Sequence, residues 1–234
     1  MPAHAADFTQ RLSALKAEIA DQARRVQSLV ETAFDAAFNR DGSAAARAAA
    51  LDDTVDRVDV EIEKRSVQLL TDATAAGAAL APGQLRMVLT IVKVNNELER
   101  IADVGVAISE LVPQLNEQGV TLPETYRVMT NSLVGILRDA SMSLERSDPQ
   151  LAKIVLASED AVEAFKRAIL REAQLQVQGG RMSVDSAFLI QELATLCEIM
   201  AAHCTNIAEQ ALYVATGAIV RHTGGHWEEV PTGA

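Results

Sequence analysis

The feature that most restricts the fold of this 234-residue chain is a helical pattern that occurs twice. Apolar residues separated by alternating steps of four and three form a first stripe: Ile91, Val94, Leu98, Ile101, Gly105, Ile108, Val112 and Leu115. Adding 99 to each number gives a second apolar stripe, which runs from Ile190 to Val214. Stripes of this kind are typical of long helices packed in bundles. Their repetition predicts a duplicated structural unit.

A second correspondence, at an offset of 107, links the helices that precede the two stripes. Val55, Val58 and Ile62 correspond to Val162, Phe165 and Ile169. Gly and Pro residues near positions 42, 77–83, 113–123 and 179–180 divide the chain into helical stretches, and Asp148 with Pro149 predicts a further helix start. We therefore predict an all-α fold with six helices. They form two tandem, pseudo-symmetric three-helix bundles, over residues 1–116 and 117–234, and a loose tail follows residue 217.

Composition and charge restrict the class of function. Hydrophobic residues make up 49% of the chain and the formal net charge is −11. So acidic a chain is not expected to bind nucleic acid, which requires a basic surface. The start of the chain lacks the pattern of a signal peptide, and no segment contains the roughly 20 apolar residues of a membrane span. We expect a cytoplasmic protein that does not span the membrane.

Carboxylates recur at helical spacing beside the first stripe. Glu99 and Asp103 are four residues apart, and Asp53 and Asp56 lie three apart on the preceding helix. Two antiparallel helices could bring these four side chains together. Oxygen ligands of this type suit Mg²⁺, Mn²⁺, Ca²⁺ or iron. The same spacing is also compatible with a solvated acidic face, so the sequence leaves both interpretations open.

The second repeat carries a reduced version of this pattern. Asp160 and Glu163 lie on one helix, and Glu198 and Asn206 lie on the next. Ala202 occupies the position that corresponds to Asp103. We therefore expect a lower metal affinity in the second repeat.

Motifs for catalysis are lacking, which predicts that the chain is not an enzyme. None of the four histidines follows a glutamate by three residues, as the Glu-x-x-His motif of di-iron bundles requires. There is no Gly-rich phosphate loop and no nucleophile elbow. Cys197 and Cys204 occupy stripe positions, which predicts that they pack as small apolar residues in the core.

Two segments resemble the signature of the PhoU family. Residues 98–103 read L-E-R-I-A-D, which is similar to the family's L-E-R-I-G-D. Residues 200–209 read M-A-A-H-C-T-N-I-A-E, which is similar to its G-D-H-A-x-N-I-A-E. The resemblance extends from Phe8 to His222. This chain departs from the signature at Ala102, Ala107, Ile199 and Ala202.

The resemblance implies a fold, a function and partners. The family fold is two similar three-helix bundles, and its members are cytoplasmic regulators that tend to form homodimers. They link the phosphate ABC transporter, through its ATPase, to a sensor histidine kinase, and they repress phosphate-starvation genes and restrain phosphate uptake.

The resemblance also implies metal sites, because some members bind iron, zinc, manganese or other metals through E-x-x-x-D motifs, one site per repeat. Possible metals here are Mg, Mn, Zn or Fe, none of them for catalysis. The ligands implied are Asp53, Asp56, Glu99 and Asp103 in the first repeat, and Asp160, Glu163, Glu198 and Asn206 in the second. Alternative functions are a metal-buffering bundle, an accessory protein of a different phosphate permease, and a structural dimer module.

Overall fold

The computed structural model of the protein describes residues 3–223 and 226–230, and it describes side chains over residues 7–220. Within these residues the chain forms eight helices and two strands. In order they are α1 (Ala3–Asn39), α2 (Gly42–Ala75), α3 (Pro82–Glu110), α4 (Val112–Glu117), α5 (Glu124–Arg146), α6 (Pro149–Leu156), α7 (Glu159–Gln178), α8 (Val184–Thr216), β1 (Ile219–Thr223) and β2 (His226–Val230).

Capping residues begin and end the helices where the sequence indicates. Asp148 caps α6, because its carboxylate accepts hydrogen bonds from the backbone N–H groups of Gln150 and Leu151. Ser183 caps α8 in the same way, through the N–H of Ser186. Gly217 ends α8 with a φ of 78°, a left-handed conformation that glycine adopts without a steric cost.

The prediction of six helices is wrong in its count, because two of the stretches are broken. The third stretch is interrupted at Leu111, just before Pro113, since proline cannot donate the helical hydrogen bond. The fifth stretch is interrupted at Ala157 and Ser158, where the acidic first turn of α7 favours a new helix N-terminus.

The loose tail is also a wrong prediction, because β1 and β2 form an antiparallel hairpin. Ile219 pairs with Val230, and Thr223 pairs with His226. β1 contacts α8, and Val220 is buried. The overlooked signal is a pair of short runs with β-branched residues that flank Gly-Gly in the sequence.

The helices pack as two bundles side by side. α1, α2 and α3 contact one another, and α8 packs against α5, α6 and α7. The bundles meet where α3 contacts α8 and α1 contacts α5. The all-α fold of tandem three-helix units is therefore confirmed, with α6 and α7 together acting as one arm of the second unit.

The two predicted stripes form the core. All residues of the first stripe are buried, and in the second stripe only Val214 is partly exposed. Cys197 and Cys204 are fully buried, which confirms their predicted role. Burial raises the pKa of the Cys197 thiol to about 12, so this thiol remains protonated and unreactive at neutral pH.

α8 is the most apolar part of this core. Among the described helices it alone is long and apolar enough to cross a membrane, judged by length and composition. Of its most apolar 18-residue window, 44% is buried inside the fold. Its contacts with α3, α5, α6 and α7 account for that apolar character without a membrane.

Candidate functional site

Carboxylates cover the outer face along which α2 and α3 meet. Four lie on α2 and two on α3, and we call these six residues the first acidic cluster: Asp52, Asp53, Asp56, Asp59, Glu99 and Asp103. The buried residues Val55 and Ile62 hold this part of α2 against the core, and Leu98 does the same for α3. The carboxylates are placed beside the core stripe because they directly flank its positions.

The carboxylates of the first acidic cluster are close enough to perturb one another. Burial raises the pKa of Asp52 to about 6, with further contributions from the charges of Asp56, Asp103 and Asp53. Burial and the negative charges of Asp103 and Asp59 raise the pKa of Glu99. Ionising these groups together is therefore unfavourable, and the cluster favours a cation that would neutralise it.

The pKa of Asp59 is also raised, by burial first and then by the charges of Glu63 and Asp56. A hydrogen bond from Asn95 opposes this shift without cancelling it. Asp59 therefore adds to the excess of negative charge on this face.

Two buried oxygen atoms beside this cluster have no hydrogen-bond partner. Asn95 is 2% exposed, and its Nδ2 donates to Asp59 Oδ1 at 2.6 Å and to the Asp59 carbonyl at 2.9 Å. Its Oδ1 accepts nothing, and neither does Asp52 Oδ1. Buried acceptors normally have partners, so these two oxygens are sites where a cation or a donor group would be stabilised.

The donor chemistry fits a hard metal ion, because every candidate ligand is an oxygen. The side chains are not gathered around one point, however. Among the described residues, no group of three or more His, Cys, Asp or Glu side chains is positioned to hold a metal ion. Metal binding here would require the carboxylates to rotate towards one another.

The corresponding face of the second repeat lies between α7 and α8 and carries positive charge as well. We call its residues the second acidic cluster: Glu159, Asp160, Glu163 and Glu198. Lys166 Nζ lies 2.6 Å from Glu198 Oε2, and Arg167 forms an ion pair with Glu163. Thr205 Oγ1 donates to Glu159 Oε2 at 3.3 Å. Most of these carboxylates are thus already paired within the protein.

A third polar group connects the two repeats across the contact between α3 and α8. His203 Nδ1 lies 2.7 Å from Glu97 Oε2, and Asn206 Nδ2 donates to the same oxygen at 3.0 Å. Burial raises the pKa of Glu97, but the hydrogen bonds from His203 and Asn206 outweigh burial, so the pKa is lowered. Glu97 is therefore held ionised between the repeats.

The structure places the predicted site residues of the two repeats in different surroundings. Asp53 and Asp56 lie on α2 and Glu99 and Asp103 lie on α3, but among the described residues they form no group positioned to hold a metal ion. In the second repeat, the side chain of Asn206 contacts Glu97 of the other repeat, and Glu198 contacts Lys166.

Sequence reasoning missed Asp52, Asp59, Asn95, Lys166 and Glu97. A signal for two of them existed, because Asp52, Asp56, Asp59 and Glu63 follow steps of four, three and four and therefore share a helical face.

The fold and the site together define a class: a two-repeat helical bundle with carboxylates on the outer face between the second and third helices of each unit. The model of the PhoU domain family matches residues 19–112 and 127–211. The chain therefore belongs to the PhoU family, whose members are accessory and regulatory proteins.

Individual relatives agree with this assignment. The chain is 25% identical over 214 residues to the phosphate-specific transport system accessory protein PhoU homolog 1 of Thermotoga maritima, covering 90% of this chain and 89% of that protein. It is 28% identical over 216 residues to the PhoU homolog of Aquifex aeolicus, covering 91% and 95%.

Solved structures share the fold. The crystal structure of the phosphate transport system regulatory protein PhoU from Streptococcus pneumoniae superposes with a TM-score of 0.83 at 20% identity, covering 92% of this chain and all of that chain. At that identity the similarity concerns the fold alone.

Proposed function

We propose that this chain is a regulatory accessory protein of a phosphate-specific transport system. It acts without catalysis of its own, in the cytoplasm, as a homodimer that connects the transporter's ATPase to a sensor histidine kinase. In this role it represses phosphate-starvation genes when phosphate is plentiful. The observation that carries the proposal is the match of the family model to both repeats, over residues 19–112 and 127–211.

The mechanism we propose is docking with different affinity for different partner states. A protein without catalysis can shift a signalling equilibrium only if it binds one state of a partner more tightly than the other. The first acidic cluster is a suitable surface, because its six carboxylates lie together on one outer face. A basic surface of a partner would relieve their mutual repulsion and would associate rapidly.

Deleting the gene tests this proposal in the host organism. We expect alkaline phosphatase, or another phosphate-starvation reporter, to be active in phosphate-rich medium after deletion and to be repressed again by the parent chain. A complementing chain with Asp52→Asn, Asp56→Asn and Asp103→Asn tests the docking surface. Normal repression in the deletion strain would contradict the repressor role and would favour an accessory of a different phosphate permease.

A second candidate function is divalent metal or iron binding at the first acidic cluster, by Asp53, Asp56, Glu99 and Asp103 together with Asp52. It is favoured by the unpartnered oxygens of Asp52 and Asn95. A bound Mg²⁺, Mn²⁺, Zn²⁺ or iron ion would neutralise the carboxylates and link α2 to α3. It would stabilise the first repeat by an amount that grows with the logarithm of its affinity for the folded state.

Thermal unfolding with Mn²⁺ and with chelator tests this candidate. We expect Mn²⁺ to raise the Tm of the parent chain, and we expect Glu99→Ala with Asp103→Ala to abolish that increase. The variant should not melt below the parent in chelator, because the repulsion that it removes outweighs the attraction of Glu99 to Arg100. Equal increases with Mn²⁺ for the two chains would show that the cluster does not bind the ion.

A further inference from the structure

The two repeats carry opposite charges at one corresponding position. Asp59 on α2 corresponds to Lys166 on α7, by the offset of 107 that aligns Val55 and Ile62 with Val162 and Ile169. Glu99 on α3 corresponds to Glu198 on α8, by the offset of 99 that aligns the two stripes. In the first repeat, Asp59 contributes to raising the pKa of Glu99, whereas Lys166 forms an ion pair with Glu198.

The ion pair of the second repeat is partly shielded from water. The side chain of Lys166 is 19% exposed and that of Glu198 is 39% exposed, and their charged atoms lie 2.6 Å apart. Partial burial reduces the screening of the two charges by water, which strengthens their attraction relative to that of a fully exposed pair. Lys166 is thus held at Glu198 and is not a freely moving surface lysine.

Two further differences remove oxygen donors from the second repeat. Asp103 corresponds to Ala202, and Asn95, with its unpartnered Oδ1, corresponds to Ala194. Ala194 is fully buried. The first acidic cluster therefore contains six carboxylates, and the charge of Arg100 only partly offsets their effect on Glu99. The corresponding six positions of the second repeat contain four carboxylates and one ammonium group.

We propose that Lys166 is a built-in cation that replaces a metal ion in the second repeat, so that only the first repeat of this chain responds to metal. The inference rests on the proposed metal site of the first repeat. Lys166 already supplies the positive charge that Glu198 needs, and its ammonium group repels a second cation at the same carboxylate. The missing oxygens at Ala194 and Ala202 further reduce the number of donors that a hard ion could use.

Metal content of the purified full-length chain tests this proposal. The probe is Mn²⁺, measured by elemental analysis after gel filtration, in four chains: the parent, Glu99→Ala with Asp103→Ala, Glu163→Gln with Glu198→Gln, and Lys166→Asp with Ala202→Asp. We expect Glu99→Ala with Asp103→Ala to lose the metal that the parent holds. We expect Glu163→Gln with Glu198→Gln to keep all of it. Lys166→Asp with Ala202→Asp should gain about as much metal as the parent has.

A matched control separates the site from the change in net charge. Arg171 is an exposed residue on α7, and Arg171→Asp with Ala202→Asp changes the net charge by the same amount while Lys166 remains. We expect no gain of metal in this control. A gain in the control equal to that with Lys166→Asp would overturn the role of Lys166, and so would loss of half the parent's metal in Glu163→Gln with Glu198→Gln.

The test also separates this inference from the proposed metal site. If the parent holds no Mn²⁺ but Lys166→Asp with Ala202→Asp does, the first site fails while the role of Lys166 stands. If Lys166→Asp with Ala202→Asp is folded by circular dichroism and gains nothing, the role of Lys166 fails whatever the parent holds. Should that variant not fold, Glu163→Gln with Glu198→Gln still tests whether the second repeat holds metal, because its metal content must equal that of a metal-binding parent.

Discussion

In the first repeat, the carboxylates of α2 and α3 repel one another, whereas in the second repeat Lys166 and Arg167 neutralise the carboxylates at the same place. The helices around both faces are built on the same apolar stripe. The duplication thus preserved the core pattern while the outer faces diverged in charge. The same packing pattern with different surface charge shows that the two repeats share a fold but present different electrostatic surfaces.

Among the core positions at which the repeats differ, we expect the largest effect at Gly105. Gly105 lies where α3 approaches α1, and a Cβ atom there would lie 2.4 Å from Leu29 Cδ2, but the second repeat has Cys204 at this place. We expect Gly105→Cys to lower the free energy of unfolding by about 3 kcal/mol, because the added atoms overpack a full core. Thermal or denaturant unfolding measures this loss.

Gly135 provides the control for this exchange. It lies inside α5, and a Cβ atom there would meet nothing within 4 Å. Gly135→Ala should stabilise the chain by up to about 1 kcal/mol, through helix propensity alone. If Gly105→Cys were as stable as the parent, the close approach of α3 to α1 would not distinguish the repeats.

The contact between the repeats is asymmetric as well, and breaking it is the next largest effect. Glu97 accepts hydrogen bonds from His203 and Asn206. The residues that correspond to these three by the offset of 99 are apolar: Leu196, Val104 and Ala107. We expect Glu97→Ala to cost about 2 kcal/mol, because it leaves two partly buried polar side chains without their acceptor.

An apolar replacement should largely restore that stability. Glu97→Leu with His203→Val and Asn206→Ala gives the contact the residues of its symmetric counterpart, which leaves no polar group unpaired. Asn96→Ala, at an exposed position next to Glu97, is the control and should change little. If the triple variant were as unstable as Glu97→Ala, these polar side chains would contribute more to stability than the pairing of their own hydrogen-bonding groups.

Removing a single charge should have opposite effects in the two repeats. In chelator at pH 7, Glu99→Gln removes a repelling charge and should raise the Tm. Glu198→Gln leaves Lys166 without its carboxylate and should lower the Tm. Each change corresponds to about 0.5–1 kcal/mol, or a few degrees for a chain of this size. Shifts of the same sign would remove the distinction between the two acidic clusters.

The sequence predicted what depends on local periodicity. The stripe residues from Ile91 to Leu115 recur at helical spacing, so their burial followed from the pattern alone. The pairing of Lys166 with Glu198 could not be predicted, because it depends on how α7 lies against α8. The same holds for Asn206, which was expected beside Glu198 but contacts Glu97, since only the packing of α3 on α8 brings those two residues together.

Acidity should have an effect no larger than that of removing a single charge, and its sign follows from Asp52. The folded protein raises the pKa of Asp52 from 3.8 to about 6, so the carboxyl group keeps its proton longer in the folded state than in the unfolded state. Below pH 4 this group does not lower the free energy of unfolding, because it is protonated in both states. As the pH rises from about 4 to 6, only the unfolded state releases the proton easily, and stability is lost; above pH 6 the loss is constant.

Asp52→Asn should therefore match the parent near pH 4 and exceed it increasingly up to pH 6. The plateau should be about 1 kcal/mol, once the shift is discounted for the screening of a group that is partly exposed. Denaturant unfolding at half-unit steps of pH, in chelator, measures the difference, and Asn96→Ala gives a baseline without a titrating group. Salt should reduce the part of the difference that comes from Asp53, Asp56 and Asp103 and leave the part that comes from burial.

A difference between Asp52→Asn and the parent that stays constant from pH 4 to pH 6 would mean that the carboxyl group of Asp52 does not titrate in this range. The contrast between a repelling first cluster and a neutralised second one would then lose its electrostatic basis.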